Sequence, residues 1–514
     1  MLEKKLRIDV PLVLSIAIVI IAGITTLYSQ EVIVSQDLAW WQMRWWRQTV
    51  WVALGIVILL VFRRSNYQML GSYALPAYGV ILLLLIITVL FAPRINGARS
   101  WFKLGPVSFQ ASEFAKLITI ILVAKYLELK EREMEKINSL VIPSLIALIP
   151  MMLIVIQPDF GGAFSFAPVL MSMLFIAGAD IYYIGSALVL VGVSFSIPLY
   201  IEYHKITLIN PLITHLTELD KTDLVPVVRI LQNEVWKFID SGVLPDHIAD
   251  SDRGYLLKVF NSETLMTSIR EAGRTVQSEE GGMLLLFLQN IELLVGLGLF
   301  LVVIAAGLLL FRYARGRSFH YLRKLYIPMG VLGIALLAAT TFHTIYSFKY
   351  HQVLRILAFV NPEQFPRNHS YQIIASKTAI GSGELYGRGI FDGDMTIGSR
   401  PLVPEAFTDF IFSSWCERTG FLGSVILIIA LITIPLRGLQ LSFESRDRFG
   451  SLLAAGISFL LFYHIAINTM IALGLLPVTG IPLSFMSYGG SHMITCMAAA
   501  GILLSIYRRK TANQ

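Results

Sequence analysis

An all-α polytopic membrane protein with about twelve transmembrane helices and large external loops is the fold class that the sequence predicts. Three observations carry this prediction. The 514 residues are 55% hydrophobic and only 15% charged, with a mean hydropathy of +0.68, far more apolar than a soluble chain of that length requires. Apolar stretches recur near the roughly 20 residues that a helix needs to cross a hydrocarbon core. Basic residues fall in short clusters between those stretches, which is the positive-inside pattern. The formal charge of +7 therefore reads as membrane topology, and no nucleic-acid partner is expected. Only Cys416 and Cys496 occur, both in or beside apolar segments, which excludes a disulfide framework and a CxxC metal site.

Twelve stretches qualify as spans: 11–28, 49–62, 73–91, 111–127, 141–156, 164–178, 181–201, 283–311, 326–346, 410–436, 452–473 and 486–507. The opening MLEKKLRIDV is basic and runs into the first stretch without a small-residue cleavage pattern, so it reads as a retained first helix. With Met1 inside, the inside connections carry Arg63 and Arg64, then Lys130 and Lys136, then Arg312 to Lys324, then Arg437, Arg446 and Arg448, and the tail Arg508 to Lys510. Both termini are accordingly expected to be cytoplasmic.

That orientation places three polar segments outside. Residues 30–47 carry WWQMRWW, an aromatic belt at the membrane interface. Residues 202–282 mix acids and bases and read either as a small folded domain or as a solvated linker. The third runs from 347 to 408.

Chemistry-bearing residues cluster on this outer side. In NGARSWFKLGPVSFQASEFAK, Glu113 and Lys116 share a helix face at i, i+3 and can pair. Arg99 and Trp101 precede them, cations and an indole suited to a phosphate-bearing lipid or to interfacial snorkelling. In QPDFGGAF, Pro158 and two glycines explain a turn, and Asp159 suits a helix cap. The segment 354–389 supplies Arg355, Lys377 and Arg388; its glycines superficially resemble a phosphate loop, but no strand precedes them and no GK[ST] follows. In VPEAFTDFIF, a helix starting near Pro404 would put Glu405 and Asp409 on one face. Asp409 then reads either as dipole compensation at a helix start or as a general base beside cations that hold a leaving phosphate. His464 reads as a packed helix residue, and His351, His369 and His492 lack partners at metal-ligand spacing. No HExxH, GxSxG or Walker motif occurs, which removes the common metalloprotease, hydrolase and ATPase readings.

The ordered set NGARSWFKLGP with QASEFAK, QPDFGGA, AIGSGELYGRG, PEAFTDFIF with CERTGFLG, and LLPVTGIPLSFMSYGG resembles the SEDS family of bacterial membrane proteins, the RodA and FtsW group, along about three quarters of the chain. The resemblance implies a peptidoglycan glycosyltransferase of the bacterial inner (cytoplasmic) membrane that polymerises lipid II beside a class B penicillin-binding protein and other elongation-complex membrane proteins. It further implies that Asp409 is the family's essential aspartate, with Trp101, Glu113, Lys116, Asp159, Arg355 and Glu405 around an outward cavity. Lys116, Arg99 and Arg355 are then candidates for neutralising pyrophosphate, with Lys377 facing the same compartment. A divalent cation (Mg or Mn) could assist pyrophosphate departure, although no dedicated metal site is marked. The GRG ending and VTGIPLSF lean toward the elongation branch over the division branch; a lipid II flippase and a recruiting scaffold are the rival readings.

Departures from the family pattern are Phe407 in place of a histidine, Ala111 in place of a proline, Glu384 within the paired glycines, and His492 in place of a small residue. The family's ten-helix core also falls short of twelve spans. The expected organisation is therefore an N-terminal core part at 1–201, an insertion at 202–325 with an external segment, an extra span and a basic inside loop, and a C-terminal core part at 326–514 that carries the catalytic external loop 347–408.

Overall fold

The structure is a computed structural model that describes residues 8–32, 39–93, 99–104, 107–131, 138–219, 221–231, 235, 256, 262–279, 282–315, 322–345, 359–360, 369–393, 396 and 402–511. The chain is a polytopic helical membrane protein. Among the described residues, nine helices are long and apolar enough to cross a membrane, and Leu140–Ile156 and Phe160–Ile176 are shorter apolar helices. The Ala111–Leu129 helix is the remaining member of the predicted set; Glu113, Lys116, Lys125 and Glu128 make it more polar than the others. Chain contacts divide the protein into two units, one of Met1–Ile181 with Asn361–Gln514 and one of Tyr182–Val360.

In the first unit the helix Gly490–Thr511 lies at the centre, its residues almost all buried. The helix Arg44–Arg64 packs along it, close enough that a Cβ at Gly55 would stand 2.7 Å from Met497. Such small residues let helix backbones approach where lipid supplies no hydrophobic drive between helices. The helices Ile411–Glu444 and Arg448–Ala472 pack on each other, and Val10–Val32 packs on the former.

In the second unit the helices Ile291–Arg315 and Arg323–Ile345 cross at Gly298 and Gly333, where a Cβ on Gly333 would stand 2.7 Å from the Gly298 carbonyl. The polar segment 202–282, expected outside the membrane, contains a folded helical piece. Ile209–Glu218 and Glu263–Glu279 each turn one apolar face inward, and Leu212, Leu216, Val227, Val228 and Ile269 form a shared core. A solvated linker would bury no such set.

Several boundaries differ from the sequence expectation. No helix starts at Pro404: residues 402–410 form successive turns, and the helix begins at Ile411. Glu405 adopts a left-handed backbone (φ 51°), and its carbonyl accepts from the amides of Thr408 (3.1 Å) and Phe410 (3.3 Å), which closes a tight turn where a helix would run straight. Glu405 and Asp409 therefore do not share a helix face. The span expected at 410–436 is interrupted at Gly420 (φ 64°, ψ −163°), a conformation open to glycine. The last helix starts at Gly490 rather than at 486, because 473–489 is a loop of turns. The segment 347–408, expected as an external loop, contains the helix His369–Ser382. Just before Ala111, Phe102–Leu104 pairs antiparallel with Val107–Phe109 in a hairpin that the helical reading did not foresee.

Candidate active site

The Asp409 turn is held by its backbone. Asn468, fully buried on the Arg448–Ala472 helix, donates from one amide nitrogen to the Asp409 carbonyl (2.9 Å) and the Ile481 carbonyl (2.8 Å). The Ser487 hydroxyl donates to the Thr408 carbonyl (2.7 Å) and accepts from the Leu483 amide (2.8 Å). The Tyr488 amide donates to the Phe407 carbonyl (3.0 Å), and Gln30 Nε2 donates to the Ala406 carbonyl (3.2 Å). The turn satisfies only part of its own backbone, at Glu405, and neighbouring elements meet the remaining carbonyls. The Asp409 side chain is half-buried, and the glycine it faces, Gly480 (φ 75°), would carry a Cβ 3.9 Å from Oδ2.

One turn back along the same helix lies a charged cluster. Lys116 Nζ donates to Glu113 Oε1 (2.7 Å) with side chains only 3% and 5% exposed. It also meets His464 Nε2 at 3.2 Å; an ammonium only donates, so His464 accepts there and carries its proton on Nδ1. His492 Nδ1 donates to Glu113 Oε2 (2.8 Å), and Cys496 Sγ lies 3.5 Å from its other ring nitrogen. Charges buried this deeply are tolerated only when paired and hydrogen-bonded on several sides. The predicted Glu113–Lys116 pair forms. His492, for which the sequence showed no metal-ligand spacing, has instead a hydrogen-bond partner on the Ala111–Leu129 helix, remote in sequence, that no local spacing announces.

Asp159 caps the helix Phe160–Phe164 as expected, accepting from the Gly162 amide (2.9 Å) through Oδ1. Its Oδ2 accepts from Gln110 Nε2 (3.1 Å), while the Gln110 amide donates to Ser491 Oγ (3.0 Å). Burial pushes the Asp159 carboxyl above its usual range, opposed by the Gly162 hydrogen bond and the Lys116 charge. Gly161 presses on the 473–489 loop, where a Cβ would stand 2.4 Å from the Thr479 carbonyl. That loop thus joins Asp409, through Gly480 and Ile481, to Asp159, through Thr479.

The other predicted residues stand as follows. Arg99 Nη1 donates to the Val89 carbonyl (3.3 Å), and Trp101 is half-buried just ahead of the hairpin. Lys377 is exposed, its stem lying over Gly474, where a Cβ would clash at 2.1 Å with Lys377 Cε. Glu405 is exposed and accepts from the Thr408 hydroxyl (3.2 Å). Arg355 lies outside the described residues. The glycines of AIGSGELYGRG form a clasp: the amides of Arg388 and Gly389 donate to the carbonyls of Glu417 and Arg418 (3.0 and 3.1 Å), against the break at Gly420. Among the described residues no three His, Cys, Asp or Glu side chains group to hold a metal ion. Sequence reasoning passed over Arg44 and Asn468, since neither motif nor spacing links them to Asp409.

The model of the cell cycle protein family of FtsW, RodA and SpoVE matches residues 10–221 and 261–512. The chain belongs to this family. The peptidoglycan glycosyltransferase RodA of Treponema pallidum is 29% identical over 464 residues, covering 90% of this chain and 89% of that protein. The peptidoglycan glycosyltransferase MrdB of Escherichia coli is 37% identical over 183 residues, 35% of this chain and 49% of its own length. A solved chain from a peptidoglycan synthase complex that coordinates polymerization and crosslinking shares the fold, with a TM-score of 0.55 at 21% identity and 98% of each chain covered.

Proposed function

We propose that this FtsW/RodA/SpoVE family member is a peptidoglycan glycosyltransferase that polymerises lipid II into glycan strands during cell-wall elongation, with Asp409 as general base. The observation that carries the role of Asp409 is its half-buried carboxylate on a backbone clamped by Asn468. A base needs a fixed direction and access to its substrate, and a clamped backbone with a half-buried side chain supports that reading.

In the reaction, the acceptor sugar 4-hydroxyl gives its proton to Asp409 as its oxygen bonds to the donor's anomeric carbon. The bond from that carbon to the undecaprenyl pyrophosphate breaks on the opposite face, and the pyrophosphate keeps the electron pair. Lys377, exposed beside the 473–489 loop, and Arg99 are the described predicted cations suited to the leaving phosphate, and Arg355 completes the proposed set. Lys116 is engaged by Glu113 and His464, so its charge positions the helices beneath the turn. Among the described residues no three His, Cys, Asp or Glu side chains group to hold a metal, and no step is routed through one; a magnesium or manganese ion that assists departure would arrive on the pyrophosphate itself.

The chain would work in the bacterial inner membrane, both termini cytoplasmic, beside a class B penicillin-binding protein and the other membrane proteins of the elongation complex. The insertion 202–325, whose residues 222–260 lie outside the family match, is proposed to serve partner contact rather than chemistry. The test supplies lipid II to the purified chain with its partner and follows glycan strands. Polymer from the native chain and none from Asp409→Asn supports the reading. Normal polymer from the Asn variant overturns the base; transport of lipid II across vesicles without polymer overturns the enzyme.

A further inference from the structure

Arg44 opens the Arg44–Arg64 helix, one turn before Gln48 on the same face. Gln48 is fully buried and grips the 473–489 loop, donating to the Ser487 carbonyl (3.1 Å) and accepting from the Gly489 amide (3.2 Å). That grip fixes where Arg44 points. Its guanidinium carbon lies 3.9 Å above the centre of the Phe407 ring. Phe407 precedes Asp409 by two residues, a backbone reach of at most about 7 Å.

The guanidinium is not spent. Its side chain is 45% exposed, and its ion pair with Glu31 is 3.5 Å long, well beyond the roughly 2.7–2.9 Å of a tight charge-assisted hydrogen bond. Glu31 is instead anchored by the Trp45 amide, which donates to its other oxygen (3.2 Å). Arginine presents a planar fork of donors that matches phosphate oxygens, and an aromatic face beneath it fixes the plane of that fork. A guanidinium held flat by Phe407, loosely paired and open to solvent, is a prepared anion site at the edge of the Asp409 turn.

We propose that Arg44 is a substrate-binding residue of this site, its fork taking oxygens of a lipid-linked diphosphate while Phe407 holds it in plane. The proposal rests on the polymerase reading for the identity of the ligand. Binding and catalysis are measured separately so that the two can fail separately. The probe is undecaprenyl pyrophosphate, titrated into the full chain in nanodiscs, alongside lipid II polymerisation with the partner present.

Arg44→Gln should raise the Kd for the probe and the KM for lipid II about tenfold, about 1.4 kcal/mol, with kcat within about threefold. Arg44→Lys, which keeps the charge without the fork, should recover part of the loss, and Phe407→Leu should lose about threefold in Kd. Arg64→Gln, at the other end of the helix, should change neither constant. An unchanged Kd in Arg44→Gln, a fall in kcat with KM and Kd untouched, or no probe binding by the native chain would overturn the proposal. If the native chain binds the probe and Arg44→Gln does not, while neither makes glycan, the anion site stands and the polymerase reading falls.

Discussion

The Glu113–Lys116 cluster and the Asp409 turn touch the Arg448–Ala472 helix one turn apart, through His464 and Asn468, yet they treat charge in different ways. In the cluster every charged group meets another side chain, all on regular helices and all buried. At the turn the backbone is irregular and strained, its polar groups are met by four neighbours, and the carboxylate is left partly accessible. A buried ionic network holds elements together; a half-buried acid on a fixed turn can do chemistry. The loop 473–489 belongs to both, touching Asp409 through Gly480 and Asp159 through Gly161.

The sharpest way to break this comparison is a pair of variants. Asp409→Asn should lower polymerisation by about 100-fold or more, the ordinary weight of a general base, with the unfolding temperature in detergent little changed. Glu113→Ala should do the reverse, costing about 3–5 kcal/mol of stability because Lys116 is left buried and uncompensated, read as a large fall in unfolding temperature. Equal effects of the two on both measurements would erase the distinction.

Asn468→Ala tests the link between the regions. It strips one donor from two carbonyls, at about 1–3 kcal/mol for each buried group left unsatisfied, and should depress kcat about tenfold more than it raises KM. Gly480→Ala is milder: its positive φ costs a side chain about 1–2 kcal/mol, and the new methyl meets the Asp409 carboxylate at contact distance. A modest loss of both activity and stability is expected from it.

The smallest effect concerns pH. Because burial raises the Asp159 carboxyl, its contribution to stability is present below the unfolded carboxyl's range and is lost as pH rises through the folded value. Asp159→Asn keeps a capping oxygen and has no titration. It should therefore flatten the dependence of unfolding temperature between mildly acidic and neutral pH, and gain slightly on the native chain at neutral pH.

Much of this was legible in the residues. The apolar stretches announced the helices, since a bilayer accepts only helices and closed barrels and stretches of about 20 apolar residues suit the former. The i, i+3 spacing announced the Glu113–Lys116 pair, and the turn residues around Asp159 announced its cap. The structure placed the acid of VPEAFTDFIF on a turn rather than a helix because Glu405 takes a left-handed backbone that its neighbours hold. No local pattern forecasts that, nor the meeting of His492 with Glu113, nor Arg44 lying over Phe407.

By itself, then, the sequence determined that this chain is a helical membrane protein and roughly where its apolar helices fall. Those properties follow from local periodicity and the cost of charge in hydrocarbon. The tertiary structure alone decided which charges are buried in a paired network and which acid lies half-buried on a turn. Pairing of that kind depends on contacts between residues hundreds of positions apart, where only the packing of helices brings a partner within hydrogen-bond reach.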